Sequence, residues 1–285
     1  MTVPAVREPE RFVDLHSHST ASDGAASPRE MVEAAVASGL AAVALTDHDT
    51  LGGVAEAQAA GEELGIRVIA GAELSTTDGQ REWHMLALHV RDREELDSRL
   101  AHFRDAREDR ARVIVDKLAA IGVAISYEDV LAESGGGAIG RPHIARVLIA
   151  DGHVRDFREA FDRYLGYGRP AFAEKELIPI ADAITMVHEA GGIAVLAHPG
   201  TDGRPERIAA LAAAGLDGLE VRHPGHAMDV EPRLTRLAAQ HGMVRSGGSD
   251  WHGGGEGMRV LNGMRVPMSW LEEQEERVAR IRAAG

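Results

Sequence analysis

The chain has 285 residues, 44% of them hydrophobic and only 4% aromatic, with a formal net charge of −14. That length suits one α/β barrel with or without an insertion, and the acidic surplus argues against sequence-independent binding of duplex DNA, which rests on Lys and Arg contacts to phosphate. With no cysteine present, disulfides and thiolate metal sites are excluded, and any transition metal must be held by His, Asp and Glu, a donor set that suits Mn, Fe or Zn.

The first twelve residues carry no apolar run of the kind a signal peptide needs. No stretch approaches the ~20 apolar residues that span a bilayer. The expected location is therefore the cytoplasm, with no membrane partner.

Short apolar runs then recur, each ending in a polar tip. Phe12–Leu15 leads into His-Ser-His, and Ala41–Leu45 into Thr-Asp-His-Asp. Val68–Ala70 leads into Gly-Ala-Glu, and Met85–Val90 is introduced by Trp83-His84. Ile193–Ala197 ends in His-Pro-Gly, Leu216–Val221 in Arg-His-Pro-Gly-His, and Met243–Val244 runs into Ser-Gly-Gly-Ser-Asp-Trp-His. Helical patterns lie between them. Ser27-Pro28-Arg29-Glu30 reads as an N-cap, Pro at the first position and an acidic first turn. The helices expected over Met31–Ser38, Gly52–Leu64, Ile180–Ala190 and Pro205–Ala214 are each followed by Gly. Helices that stop at Gly just before an apolar run predict repeating αβ units and a parallel sheet.

Residues 92–175 break that rhythm. A charged helical stretch from Arg91 to Ile121 is followed by shorter helical pieces at Tyr127–Glu133, Pro142–Ala150 and Val154–Tyr164. The expected organisation is a catalytic barrel built from residues 11–91 and 176–285, with 92–175 as a helical insertion subdomain.

The chemistry-bearing residues sit at the strand tips. His16 and His18 are two apart, so on a strand they share one face, and Asp23 in the next loop can turn back to them. His48 lies at the next tip, where Asp47 and Asp49 can accept hydrogen bonds from imidazoles or water; standing alone, that cluster would read as a helix N-cap. Glu73 follows the third run, and a carboxylate between two cations can bridge them. His84 and His89 are five apart on opposite strand faces, so one of them at most faces the cluster. His198 closes a strongly apolar strand, where an imidazole needs a partner. Asp250 and His252 again have the spacing of one face, among glycines that permit tight turns. His102, His153, His188 and His241 stand in no motif and read as ordinary surface or helix histidines.

Taken together, D-L-H-S-H-S, S-D-G, T-D-H-D-T, G-A-E, the Trp-His pair, A-H-P-G and G-S-D-W-H closely resemble the polymerase and histidinol phosphatase (PHP) superfamily over residues 11–260. The resemblance implies an α/β fold, a distorted (β/α)7 barrel with a helical insertion, and two or three divalent metal ions. It implies one ion on His16, His18, Glu73 and Asp250, a second on Glu73, His84 and His198, and a third on Asp23, His48 and His252. The segments Gly140-Arg141-Pro142-His143-Ile144-Ala145 and Glu220-Val221-Arg222-His223-Pro224-Gly225-His226 further resemble the subgroup acting on nucleotides and RNA 5′ ends. In that reading Arg141, Lys175, His223 and His226 meet a small phosphorylated substrate, a nucleotide or short oligoribonucleotide. Asp47 and His223 serve catalysis, His223 as proton donor to the leaving oxygen. The reaction implied is hydrolysis of a phosphate ester by metal-activated water. Two alternatives stand beside it: a phosphatase of a small metabolite such as histidinol phosphate, and a non-catalytic metal-stabilised module.

Overall fold

A computed structural model describes residues 10–254 and 259–284. The expectation that the N-terminus carries no leader-like run falls mostly on residues 1–9, which lie outside the described residues.

In chain order the first half comprises β1 (Phe12–Asp14), α1 (Pro28–Ala37), β2 (Ala42–Leu45), α2 (Val54–Leu64), β3 (Arg67–Thr77) and β4 (Glu82–Leu88). The helices α3 (Arg93–Ala120), α4 (Tyr127–Ser134), α5 (Arg141–Ala150) and α6 (Phe157–Ala160) follow, the last continuing as a π-helical turn over Phe161–Leu165. Then come β5 (Ile178–Pro179), α7 (Ile180–Glu189), β6 (Ile193–Leu196), α8 (Pro205–Ala213), β7 (Gly218–Arg222), α9 (Val230–Gln240), β8 (Val244–Gly247), β9 (Val266–Pro267) and α10 (Met268–Ala284).

Local chemistry sets the early boundaries where the sequence places them. The Ser27 hydroxyl accepts the Glu30 N–H while Glu30 accepts the Ser27 N–H, a closed capping box at α1. Gly65 ends α2 in the left-handed region at φ +73°.

The nine strands form one sheet in the order β8-β7-β6-β4-β3-β2-β1-β9, with β5 beside β3. Without the two-residue β5 and β9, seven strands remain as the wall of the distorted barrel. The wall closes near the site, where the Leu15 N–H donates to Gly247 O at 3.1 Å and the His18 N–H to Trp251 O at 2.8 Å. Leu15, Leu45, Leu74, Met85, Leu86 and Leu88 are fully buried on the two faces of this wall.

The expected parallel αβ repeat fails at two places, the first being the short β9, which runs antiparallel to β1. The second is β4, which runs antiparallel to both β3 and β6. No helix separates β3 from β4; the strands are joined through a turn in which Asp78 accepts the Gln80 and Arg81 N–H groups and Gly79 takes φ +83°. β3 is accordingly longer than its apolar run and carries Glu73 within the strand, not in a following loop. Two helices, α9 and α10, were not anticipated. Both are charged on their outer faces; α10 buries Trp270, Leu271, Gln274 and Val278 at helical spacing.

Residues between α3 and β5 build their own core around Ile114, Leu118, Val130, Ile144, Leu148 and Leu165. That helical segment is pinned to the barrel by buried polar contacts. Arg107 on α3 donates through Nε to Asp49 at 2.8 Å and through Nη2 to the Ser75 hydroxyl at 3.1 Å. His143 on α5 lies 3.0 Å from Ser22 O, and the Ala138 N–H donates to Ala21 O at 2.9 Å.

Candidate metal centre

The strand tips carry the predicted residues to one end of the barrel. The Asp250 N–H donates to His16 O at 2.9 Å, which sets Asp250 beside the pair His16 and His18. The Glu73 N–H donates to Asp47 O and the Asp49 N–H to Glu73 O, so His48 is held against Glu73. His84 lies opposite Ser75 across the β3–β4 ladder, on the same face as Glu73, because cross-strand partners and alternate residues share a face. His198 and Asp250 take positive φ, 27° and 52°, a strained conformation of the kind found at functional sites.

At the centre, His16 Nε2 lies 3.3 Å from Glu73 Oε2 and 3.4 Å from Asp250 Oδ1. His18 Nε2 lies 3.3 and 3.2 Å from the same two oxygens. Ligands ~2.05 Å from a tetrahedrally coordinated cation are about 3.3 Å apart, so four of the six edges already have that length. Yet His16 Nε2, both nitrogens of His18 and His48 Nδ1 are buried without a hydrogen-bond partner among the described residues. His16 Nε2 and His18 Nε2 turn toward the same two oxygens, Glu73 Oε2 and Asp250 Oδ1, while His18 Nδ1 turns toward Asp23. An orphaned buried polar atom costs about 1–3 kcal/mol, and a cation among these groups would satisfy several at once.

Glu73, itself buried, divides its oxygens. Oε2 faces His16, His18 and His48, the last at 3.2 Å. Oε1 faces His84 Nδ1 at 2.7 Å and His198 Nε2 at 3.0 Å. Asp23 has His252 Nε2 at 3.4 Å, His48 Nε2 at 3.7 Å and His18 Nδ1 at 3.8 Å. Three groupings able to hold an ion result: His16, His18, Glu73 and Asp250; His48, Glu73 and His84; and His18, Asp23, His48 and His252. Eight of the nine residues read from the sequence as metal-binding fall in these groupings; the ninth, His198, adjoins them through Glu73 Oε1, and His48 stands in the second grouping where His198 was expected. His89 stands apart; it points to Gln274 at 3.2 Å.

The cluster is electrostatically primed for cations. Burial opposes a charge on His18, but the Asp250 and Glu73 carboxylates outweigh it and raise the imidazole to about 10. His84 is raised to about 9, with Glu73 overcoming burial. Protons and metal ions compete for the same nitrogen lone pairs, so the carboxylate field that draws the one draws the other.

The surrounding layer departs from the sequence reading. Asp47 accepts the Ser19 N–H and hydroxyl, both at 2.7 Å, and the Ser22 hydroxyl at 2.6 Å. Asp49 accepts the Ser75 N–H and hydroxyl and the Arg107 guanidinium. Both carboxylates thus hold loops and the insertion, and no hydrogen bond or ion pair joins either to a cluster imidazole among the described residues. The carboxylate that does hold an imidazole is Glu220. It is fully buried, lies 3.0 Å from His16 Nδ1, and accepts the His198 N–H at 2.6 Å. Its signal was a Glu inside an apolar strand, a place no carboxylate occupies without partners.

Of the expected substrate contacts, Lys175 is mostly buried and donates to Glu82 at 3.1 Å, and Glu82 faces His84 Nε2 at 3.4 Å. Burial, helped by Arg107, lowers the Lys175 ammonium to about 8. Arg141 donates to Leu165 O at 3.1 Å and lies over the Phe161 ring. His223 Nδ1 accepts the Gly225 N–H at 3.0 Å, which leaves the ring proton on Nε2, 3.3 Å from Asp250 Oδ2. His226 has both nitrogens committed to backbone, Nδ1 donating to Val221 O and Nε2 accepting the Gly200 N–H. It braces the loop after His198 and offers no free nitrogen to a phosphate.

The PHP domain pattern matches residues 14–173 of the chain. A 5'-3' exoribonuclease of Haemophilus influenzae is 40% identical over 265 residues, 91% of this chain and 92% of that one. A 3',5'-nucleoside bisphosphate phosphatase of Chromobacterium violaceum is 39% identical over 254 residues, 87% and 89% of the two chains. A crystal structure from Bifidobacterium adolescentis, named as a candidate metal-dependent phosphoesterase, superposes with a TM-score of 0.86 at 36% identity, covering 94% of this chain and 97% of its own. The chain belongs to the PHP domain family and is a metal-dependent hydrolase of phosphoric esters.

Proposed function

We propose that the substrate is a nucleotide or the 5′ end of a short RNA, and that up to three ions of Mn, Fe or Zn serve its hydrolysis. The observation that carries this reading is the divided Glu73 carboxylate, with two imidazoles on one oxygen and three on the other. His16, His18, Glu73 and Asp250 would hold one ion, Glu73, His84 and His198 a second, and Asp23, His48 and His252 a third. Bound there, divalent cations supply Lewis-acid stabilisation of phosphoryl oxygens and water of lowered pKa. The substrate class follows the relatives, an exoribonuclease and a nucleoside bisphosphate phosphatase.

The chain's own residues then divide the remaining work. Lys175 and Arg141 draw the phosphate with charge-assisted hydrogen bonds. His223 presents its Nε2–H toward the cluster and donates it to a phosphoryl oxygen; with Nδ1 accepting from Gly225, the ring acts as hydrogen-bond donor in preference to the proton donor expected from sequence. Glu220 fixes His16 in the tautomer that turns Nε2 inward. Asp47 holds the Ser19–Asp23 loop. A cysteine-free chain acting on nucleotides fits the cytoplasm, and among the described residues no helix is long and apolar enough to cross a membrane.

Turnover of a nucleoside 3′,5′-bisphosphate, a 5′-phosphorylated oligoribonucleotide and histidinol phosphate by metal-loaded protein tests this. The expected order places one of the first two well above the third. Efficient hydrolysis of histidinol phosphate alone would replace this reading with the metabolite phosphatase.

A further inference from the structure

The insertion displays one aromatic side chain that packing does not explain. Tyr167 is 88% exposed. It occupies the second position of a turn closed by the Arg169 N–H donating to Gly166 O at 3.0 Å. Gly168 follows at φ +70°, the pattern of a type II turn, which Gly alone adopts at that place without strain. Gly166 is packed so closely that a Cβ there would lie 2.7 Å from Phe161 O. The backbone therefore fixes the turn, and the ring is held outward at its apex.

What lies beneath the ring is basic. The Tyr167 ring meets Phe172 edge-on, centroids 5.3 Å apart. The Arg141 guanidinium lies 5.9 Å from the Phe172 ring. Burial and the neighbouring Arg141 and Arg107 together lower Arg110 to about 10, a sign of how closely these cations are gathered. Lys175, three residues beyond Phe172, reaches through Glu82 to His84. One series of contacts thus runs from the metal cluster through His84 and Glu82 to Lys175, and another from Arg141 through Phe172 to Tyr167, with Lys175 and Phe172 three residues apart on a chain whose net charge is −14. Cationic side chains beside an outward aromatic ring are the elements that hold single-stranded nucleic acid, whose unpaired bases stack on the ring. A duplex offers no such base, because its own are stacked on one another.

Resting on the nucleotide reading above, we propose that Tyr167 is the stacking platform for a nucleobase of a single-stranded substrate. Arg141 and Lys175 draw the phosphate, and Tyr167 grips the strand and selects oligonucleotides over phosphorylated sugars.

The test compares wild type, Tyr167→Ala and Tyr167→Phe, all metal-loaded. It measures the Kd of a fluorescent, hydrolysis-resistant, 5′-phosphorylated pentaribonucleotide, and its displacement by ribose 5-phosphate, which has the phosphate and sugar but no base. Tyr167→Ala is expected to weaken the oligonucleotide about fivefold or more, the lower end of base–aromatic stacking. Tyr167→Phe keeps the ring and stays near wild type, and the affinity for ribose 5-phosphate is the same in all three. Unchanged oligonucleotide binding in Tyr167→Ala would overturn the proposal. So would no measurable binding to wild type, or an equal loss for ribose 5-phosphate. Because the readout is binding, it separates from turnover: a protein that grips the strand through Tyr167 yet hydrolyses neither RNA nor nucleotides sinks the functional reading and upholds this one.

Discussion

Glu220 stands directly behind His16: one oxygen lies 3.0 Å from the ring's Nδ1, while the other accepts the backbone N–H of His198 at 2.6 Å. One buried carboxylate thereby orients a side chain from the first strand tip and the backbone of another. With Nδ1 turned to Glu220, His16 keeps Nε2 for the interior of the cluster.

Glu220→Gln should therefore lower metal affinity without unfolding the chain. Loss of such an outer partner costs about 10- to 100-fold in affinity. Titration of the metal-stripped variant with Mn or Zn, followed by calorimetry, measures it. Wild-type affinity in the variant would mean that His16 needs no orienting partner.

Glu73→Gln is expected to lower both bound metal and turnover, because the carboxylate faces imidazoles with both oxygens. Elemental analysis of wild type prepared without chelator should find two or three divalent ions per chain. Chelation should lower the melting temperature, since ligands that bind only the folded state at 1,000 times their Kd contribute about 4 kcal/mol. Less than one equivalent in metal-replete wild type would remove the basis of the assignment.

Arg141→Ala should leave metal content unchanged and weaken capture of phosphorylated substrate. Charge-assisted hydrogen bonds are worth roughly 1.5–3 kcal/mol, about 10- to 150-fold in kcat/KM. Arg141 also holds Leu165 O, so Arg141→Lys, which keeps a donor and the charge, is the control and should recover part of the loss. An unchanged kcat/KM in the Ala variant would return Arg141 to the surface.

Asp217 links three elements far from the cluster: it pairs with His188 at 2.6 Å and Arg277 at 3.0 Å and accepts the Ala194 N–H. Burial opposes its charge, but these hydrogen bonds outweigh burial and hold the carboxyl below its ordinary value. A depressed folded pKa adds stability above the unfolded value of ~3.9 that disappears as pH falls through the folded one. Asp217→Asn should thus destabilise by about 2–4 kcal/mol at pH 7, with the gap to wild type narrowing in urea melts below about pH 4. A gap independent of pH would show that packing, not charge, is what the position supplies.

How much of this was legible in the sequence differs by residue. His16 and His18, two apart at the end of an apolar run, were placed on one face by strand periodicity alone, and the alternation of runs and Gly-ended helices determined the α/β class. The capping box at Ser27 and Glu30 and the stop at Gly65 are local chemistry and fall where the residues put them. What no local pattern contains is pairing direction and distance. The antiparallel course of β4 comes from the turn at Asp78 and Gly79, and it decides that His84 reaches Glu73. Glu220 lies 204 residues from His16, and only closure of the barrel brings a buried carboxylate and an imidazole together. Asp47 shows a second side of this: its sequence neighbourhood pointed to the reaction, while the fold turns its carboxylate to the Ser19–Ser22 loop, from which it accepts three hydrogen bonds. The residue types determined which chemistry was available; the fold decided which oxygens and nitrogens were left free to perform it, because a hydrogen-bonding atom satisfied by a neighbour is no longer available to an ion or a substrate.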